Sequence, residues 1–229
     1  MTAMLPHRNL PPVADGRETR SDSRFLDATP PQGEDPDMDH AAPVDNEELG
    51  TPRLSLRRPT YADIDAIHRI HSDPRAHAHN PADALSTRAE AEERYRRWDG
   101  HWNQHGFGYW TVHGQLRNQQ PLGFCGIKLM RLHDRAVLNL FYRLDPLAWG
   151  NGIATEAATA VVDWATAHLP EHPVIARVRP DNAASLQVAA HAGLRRAPHL
   201  DTDGEDGLDW IFTVNWPGNA EPVHDDPRP

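Results

Sequence analysis

Apolar and polar residues change rhythm along this chain, and the changes separate strands from helices. Leu54 and Leu56 alternate with Ser55 and Arg57, the two-residue period of a short, half-buried strand. Ile64, Ile67 and Ile70 then recur every third residue behind Thr60-x-x-Asp63, a capping-box pattern, which predicts a helix that Asp73-Pro74 stops. Thr87-x-x-Glu90 opens a second, more polar helix reaching about Asn103. Phe107–Val112 and Gly123–Met130 flank the polar stretch Gly114–Gln120 and read as the strands of a hairpin. From Val137 to Asp145, Leu138, Leu140, Tyr142 and Leu144 alternate with Asn139, Phe141 and Arg143, a strand with two different faces. After the loop Pro146–Gly152, Ile153, Ala157, Ala160, Val161, Trp164 and Ala165 mark one face of a helix ending before Pro170. Pro173–Val178 is a strand, Asn182–Ala192 a helix closed by Gly193, and Gly207–Asn215 a last strand. This alternation predicts one mixed α/β domain over residues 51–216, neither a sandwich nor a helical bundle.

The flanks carry no such rhythm. Residues 1–50 hold seven prolines, eleven acids and four arginines. They offer too little apolar surface to offset the entropy of ordering, so a disordered acidic N-terminal tail is expected, with Phe25-Leu26 as its one candidate docking element. Residues 217–229 read as a second, disordered tail. The chain of 229 residues has a formal net charge of −10, and most of the excess lies in these flanks, so the centre is close to neutral. An acidic chain without a basic stripe argues against nucleic acid as a direct partner. No apolar run has the length of a membrane span, and the N-terminus lacks a signal-peptide pattern. The single cysteine, Cys125, permits no intrachain disulfide and no cysteine-based zinc site. A cytoplasmic protein without a metal is expected.

Candidate chemistry begins at Asp145-Pro-Leu-Ala-Trp-Gly-Asn-Gly-Ile-Ala-Thr-Glu-Ala157, between a strand and a helix. Gly150 and Gly152 let a ligand approach the backbone. The amides that follow open a helix, where unpaired N–H groups and the helix dipole favour a phosphate without any lysine or arginine. A tight strand–helix turn would account for the same two glycines. No Gly-Lys-Ser/Thr follows, so this is not a P-loop. Thr155 stands at the third glycine position of a dinucleotide fingerprint, which speaks against that motif too.

A second segment adds the needed context: Val174-Ile-Ala-Arg-Val-Arg-Pro-Asp-Asn182-Ala-Ala-Ser185, continuing through a helix to Gly193-Leu-Arg195. Trp149-Gly-x-Gly-x-Ala-Thr-Glu-Ala157 followed by Asn182-x-x-Ser185, in this order of elements, resembles the GNAT superfamily of acyl-CoA-dependent N-acyltransferases, and within it the RimJ/RimL-like branch that acetylates ribosomal-protein N-termini. The resemblance covers about residues 53–216. It implies the GNAT α/β fold, a mixed, mostly antiparallel sheet with splayed central strands flanked by helices. It implies acetyl-CoA as co-substrate, with pantetheine in the gap between strands Val137–Leu144 and Val174–Val178. It places the cofactor on Leu144, Trp149, Gly150, Asn151, Gly152, Ile153, Ala154, Thr155, Asn182 and Ser185. The partners implied are acetyl-CoA and an amine acceptor, a protein N-terminus or a small molecule, with a homodimer allowed.

The resemblance also implies direct attack of a neutral amine on the thioester carbonyl. A backbone N–H near Tyr142 would hold the oxyanion, and Ser185 or Tyr142 would meet the departing thiolate. Four positions depart from the family pattern. Leu147 replaces a frequent Gln or Arg, Asn139 stands where a carboxylate is common, Leu194 replaces the usual Phe, and His191 replaces a Lys before Gly193. Asn139 cannot act as a base, so a catalytically silent acyl-CoA-binding module is an alternative reading. Glu156 is a candidate base or a structural cap. His68, His71, His77 and His79 are candidate substrate contacts or packed histidines, Trp98 and Trp102 a packing face or a substrate wall, and Cys125 a small core residue.

Overall fold

The computed structural model describes residues 48–115 and 120–217. The expected tails fall outside these residues except at their inner ends. β1 (Glu48–Gly50) lies within the segment read as tail, yet it pairs antiparallel with β2 (Leu54–Arg57), Leu49 opposite Leu56, and both leucines are buried. One apolar residue in three is too short a pattern to display a period, so sequence alone did not reveal this strand.

α1 (Ile64–Ser72) follows a short 3-10 turn. Asp63 accepts the Thr60 N–H at 2.7 Å and is gripped by both terminal nitrogens of Arg57 at 2.8 and 2.7 Å. Ile64, Ile67 and Ile70 are buried, as their spacing predicts. α2 (Arg88–His105) carries the full reciprocal cap: Glu90 N–H donates to Thr87 Oγ1 at 3.2 Å, and Thr87 N–H donates to Glu90 Oε2 at 3.0 Å. Trp98 and Trp102 lie one turn apart on its buried face.

β3 (Tyr109–Gly114), β4 (Gly123–Leu132) and β5 (Arg135–Leu144) form an antiparallel meander. β3 begins two residues later than the sequence suggested. Phe107 turns into the core instead, and Gly108 packs so closely on α2 that a Cβ there would sit 2.6 Å from the Trp102 indole nitrogen. α3 (Ile153–His168) then crosses to β6 (Val174–Val178), and α4 (Ala183–His191) leads to β7 (Arg195–Arg196), β8 (Thr202–Gly204) and β9 (Gly207–Val214). The strand order is β1-β2-β3-β4-β5-β6-β9-β7, with β8 pairing β9 off that path. β7 and β8 are too short to have been read from sequence.

The two faces of β5 are separately covered. Leu138 and Leu140 pack with Ala157, Val161 and Trp164 of α3. Phe141 on the alternate face joins Phe124 and the residues of α1 and α2, including Ile67, Ile70 and Trp98. β5 is parallel to β6, and the other pairings of the described sheet are antiparallel. β5 pairs with β4 along all ten residues, but with β6 only at Leu138–Leu140. Beyond Leu140 and Ala176 the two central strands part.

Candidate active site

Strand geometry determines what that gap offers. Successive amides of a strand point to opposite sides. Leu138 N–H donates to Pro173 O at 2.9 Å, whereas Asp145 N–H donates to Leu122 O at 2.8 Å on the other side. Even-numbered residues of β5 therefore direct their backbone toward β6. At Tyr142 the ladder has ended, so its N–H and C=O face the gap. At Leu144 the carbonyl accepts the indole N–H of Trp149 at 3.2 Å.

The glycine loop closes one end of the gap. Asp145 shapes its start by accepting Leu147 N–H at 2.9 Å and pairing with Arg69. Gly150 and Gly152 hold φ of 77° and 71°, a left-handed backbone that L side chains adopt at a cost. A Cβ on Gly150 would meet nothing within 4 Å, and one on Gly152 only Arg53 Nη2 at 3.5 Å. Backbone conformation, not crowding within the protein, is what demands glycine here. The first helical bond of α3 runs from Glu156 N–H to Gly152 O at 3.0 Å. The amides of Gly152, Ile153, Ala154 and Thr155 thus precede the intrahelical ladder and form a cluster of donors at the positive end of the helix.

Glu156 does not face that cluster as a base. Its carboxylate accepts Thr51 Oγ1–H at 2.5 Å, Arg53 N–H at 3.1 Å and Arg53 Nε–H at 2.5 Å. Burial alone would raise its carboxyl pKa, but Thr51 and Arg53 outweigh burial and hold it lowered. It is a structural clamp between α3 and the β1–β2 turn.

Gap and loop belong to one cavity of about 1210 Å³. Leu144, Trp149, Gly150, Gly152, Ile153, Ala154, Thr155, Asn182, Ser185 and Tyr142 line it. Asn151 is not among the lining residues, because its side chain folds back to donate to Trp149 O at 3.0 Å. Asn182 caps α4, accepting Ser185 N–H on Oδ1 at 3.0 Å, so its Nδ2 is the donor that a ligand could use. The Tyr142 hydroxyl donates to the backbone carbonyl of Ser185 at 3.0 Å and ties β5 to α4. Burial pushes the Tyr142 phenol up to about 12, against the opposing effect of the Ser185 side chain.

The opposite wall was missed from sequence. On the α2 face, Arg143 places Nη1 2.9 Å from Asp83 Oδ2, and Arg94 places Nη1 2.6 Å from Asp83 Oδ1. All three line the cavity, and the Arg143 side chain is only 6% exposed. The readable signal was a lone arginine inside the apolar run Leu138–Leu144, but its carboxylate partner lies 60 residues upstream. Asn139 also lines the cavity, with Oδ1 buried and without a hydrogen-bond partner.

Most of the remaining candidates resolve into packing. His71 is fully buried, hydrogen-bonded through Nδ1 to Ile67 O at 3.0 Å and stacked on Phe141. Burial first, and the charges of Arg143 and Arg94 next, hold its pKa well below the usual histidine value. His79 lines the cavity with Nδ1 3.4 Å from Asp181, whereas His68 and His77 are half-buried outside it. Trp98 and Trp102 are core, though Trp98 also reaches the cavity wall. Cys125 is fully buried with its thiol pKa raised by burial, a packing residue and not a nucleophile. Among the described residues no group of three or more His, Cys, Asp or Glu could hold a metal ion, and no helix is long and apolar enough to cross a membrane.

A splayed parallel pair inside a mostly antiparallel sheet, with a glycine loop opening the next helix, defines an acyl-CoA N-acyltransferase fold. The acetyltransferase (GNAT) domain family matches residues 53–195, and the chain belongs to that family. The uncharacterized protein YkkB of Bacillus subtilis (strain 168) is 32% identical over 104 residues, 43% of this chain and 59% of YkkB, so the match spans less than two thirds of that relative. Solved structures that share the fold include two acetyltransferases with CoA bound. RimL, the ribosomal L7/L12 alpha-N-protein acetyltransferase in complex with coenzyme A, superposes with a TM-score of 0.60 at 16% identity, covering 73% of this chain and 97% of RimL. The spermidine N-acetyltransferase of Vibrio cholerae, in complex with CoA and spermine, superposes with a TM-score of 0.56 at 15% identity, covering 72% of this chain and 96% of that one.

Proposed function

We propose that this protein is a cytoplasmic, acetyl-CoA-dependent N-acetyltransferase whose acceptor is a primary amine, the α-amine of a protein N-terminus. The observation that carries the reading is the parting of β5 from β6 beyond Leu140, in the same cavity as the amide cluster that opens α3. The pyrophosphate of the cofactor fits the amides of Gly152–Thr155, where helix dipole and unpaired donors act together. Pantetheine, which carries two amides, extends the hydrogen bonding of β5 into the gap, with Asn182 Nδ2 as a side-chain donor. These assignments are consistent with the CoA complex of the fold relative RimL.

In the reaction the neutral amine nitrogen attacks the acetyl carbonyl carbon, the C–S bond breaks, and an amide and CoA thiol result. The Tyr142 N–H, aimed into the gap, donates to the carbonyl oxygen as it gains charge. Water in the cavity removes the amine proton. Ser185 and Tyr142 line the same cavity, and we assign them to meet the departing sulfur. A phenol of pKa about 12 cannot fully protonate a thiolate of ordinary pKa near ~8.5, since the transfer is uphill by several units. The Ser185 hydroxyl hydrogen-bonds the developing negative charge, Tyr142 does so by swinging its one proton away from the Ser185 carbonyl, and positioning supplies the rest of the acceleration.

A small cationic amine is the competing acceptor, and the spermidine N-acetyltransferase shares the fold. The cavity argues against it: seven of its lining residues are Lys or Arg and four are Asp or Glu. The silent-module reading rests on Asn139 in place of a carboxylate. Labelled acetyl-CoA, a peptide library and a polyamine panel separate the three. Acetylated peptide α-amines support the proposal, acetylated polyamines favour the small-molecule reading, and CoA binding without turnover on either panel favours the module.

A further inference from the structure

The wall facing the acceptor side carries charge that the cofactor site does not use. β5 alternates, so Tyr142 sits on the α3 face with the thioester residues, while Asn139, Phe141 and Arg143 sit on the α1–α2 face. On that face one carboxylate serves two guanidiniums. Asp83 gives one oxygen to Arg143 and the other to Arg94, so neither arginine has the two-point pairing that a carboxylate can provide. The cluster is held in place: the Arg143 side chain is 6% exposed, that of Arg94 12%, and Arg143 Nη1 also donates to the Asp83 carbonyl at 3.3 Å. Across the gap, Arg177 of β6 and Arg179 just beyond its end share Asp209. A chain of net charge −10 has thus gathered a surplus of positive charge around this one cavity. The local field is strong enough that Arg143 and Arg94 add to burial in keeping His71 neutral.

We infer that the acceptor is anionic: the Arg94–Asp83–Arg143 cluster binds a carboxylate of the molecule whose amine is acetylated. This rests on the acetyltransferase reading above and deepens it. The span across β5 indicates which carboxylate. The amine must reach the acetyl carbonyl, which the reaction above holds on the Tyr142 N–H where β5 and β6 have parted. Arg143 is the next residue of β5, and its guanidinium stands a full side chain away on the opposite face of the strand. An α-carboxylate two bonds from the amine is too close to bridge these points. An acidic side chain on the second to fourth residue of a peptide, each extended residue adding about 3.5 Å, is long enough.

The test uses the full-length protein saturated with CoA and N-acetylated product peptides of one sequence carrying Glu, Gln or Lys at positions two to four, with N-acetylglutamate as the small-molecule source. Binding is read by calorimetry, so turnover is not required. The expected result is that a Glu peptide binds at least about tenfold more tightly than its Gln counterpart, with Lys weaker still, as charge-assisted hydrogen bonds predict. Arg94→Gln removes the preference, and Arg94→Lys retains part of it. Tight binding of N-acetylglutamate in place of the peptides keeps the anionic acceptor and moves its source to a free amino acid. Equal binding of Glu, Gln and Lys peptides, preference for Lys, binding of none, or a preference that survives Arg94→Gln overturns the inference. If Arg94→Gln does not fold, the wild-type panel decides alone. A CoA titration of the wild type separates the two levels: no CoA binding overturns the acetyltransferase reading itself, whereas CoA binding without charge selectivity overturns only the anionic acceptor.

Discussion

Individual residues of the proposed cofactor site can be probed without disturbing the fold, provided the glycines are left alone. Because Gly150 and Gly152 have positive φ, any substitution there strains the apo protein and confuses affinity with stability. Ala154 is the better probe, since it lies in the first turn of α3, where an added carboxylate is favourable to the helix but repels a phosphate. Ala154→Asp is expected to weaken CoA binding more than tenfold while Tm stays level or rises, as checked by calorimetry and thermal melts. An unchanged Kd would remove the pyrophosphate from this loop. Ser185→Ala keeps the backbone carbonyl that Tyr142 uses. It should lower kcat about tenfold to a hundredfold with CoA affinity retained, because its hydrogen bond would strengthen only as the thiolate forms. Rapid-quench measurement of the chemical step decides this. Tyr142→Phe should in addition lose about 1 kcal/mol of stability, since it breaks the tie to α4.

Between elements, two carboxylates do the joining. Burial alone would raise the Asp63 carboxyl, but the Arg57 guanidinium and the Thr60 N–H hold it lowered. A carboxyl depressed in the folded state contributes stability that is present above its unfolded value, near ~3.9, and is lost as pH falls through the folded value. Asp63→Asn should therefore cost about 2 kcal/mol at pH 7, and the gap to wild type should close as pH drops below about 4. Urea titrations at neutral and acid pH test this, and a gap independent of pH would mean that the Arg57 pairing contributes nothing. β1 supplies a second test at this scale. A chain beginning at Asn46 keeps Leu49 and its pairing with β2, whereas one beginning at Thr51 loses both. The shorter chain should be less stable by about 2 kcal/mol, the value of one buried leucine.

For the molecule as a whole, the cofactor should act as a stabiliser through mass action. CoA at a hundred times its Kd contributes about 2.7 kcal/mol, which for a domain of this size raises Tm by roughly 5–10 °C. The same CoA concentration should leave the Ala154→Asp variant nearly unshifted. A wild-type melt indifferent to CoA would show that the gap between β5 and β6 does not hold the cofactor.

Long periodic segments and local caps were readable from the chain alone, because both are properties of neighbours in sequence. The isoleucine spacing of α1, the reciprocal cap of α2, the two-faced strand β5 and the glycine loop before α3 all depend on residues within a turn or two of one another. So does the Asn182 cap, which sequence could identify but could not distinguish from a pantetheine contact. Tertiary structure decided the rest. It made a strand of Glu48–Gly50 by pairing Leu49 with Leu56, and it turned Glu156 from a candidate base into a clamp by bringing Thr51 and Arg53 against it. It also parted β5 from β6 after three residue pairs and set Arg143 beside Asp83 and Arg94. A charge buried in a strand must find its counterion wherever the fold brings one, and for Arg143 that carboxylate lies sixty residues away in sequence. No local pattern records such a pairing, which is why the glycine loop could be read from the chain and the Arg94–Asp83–Arg143 wall could not.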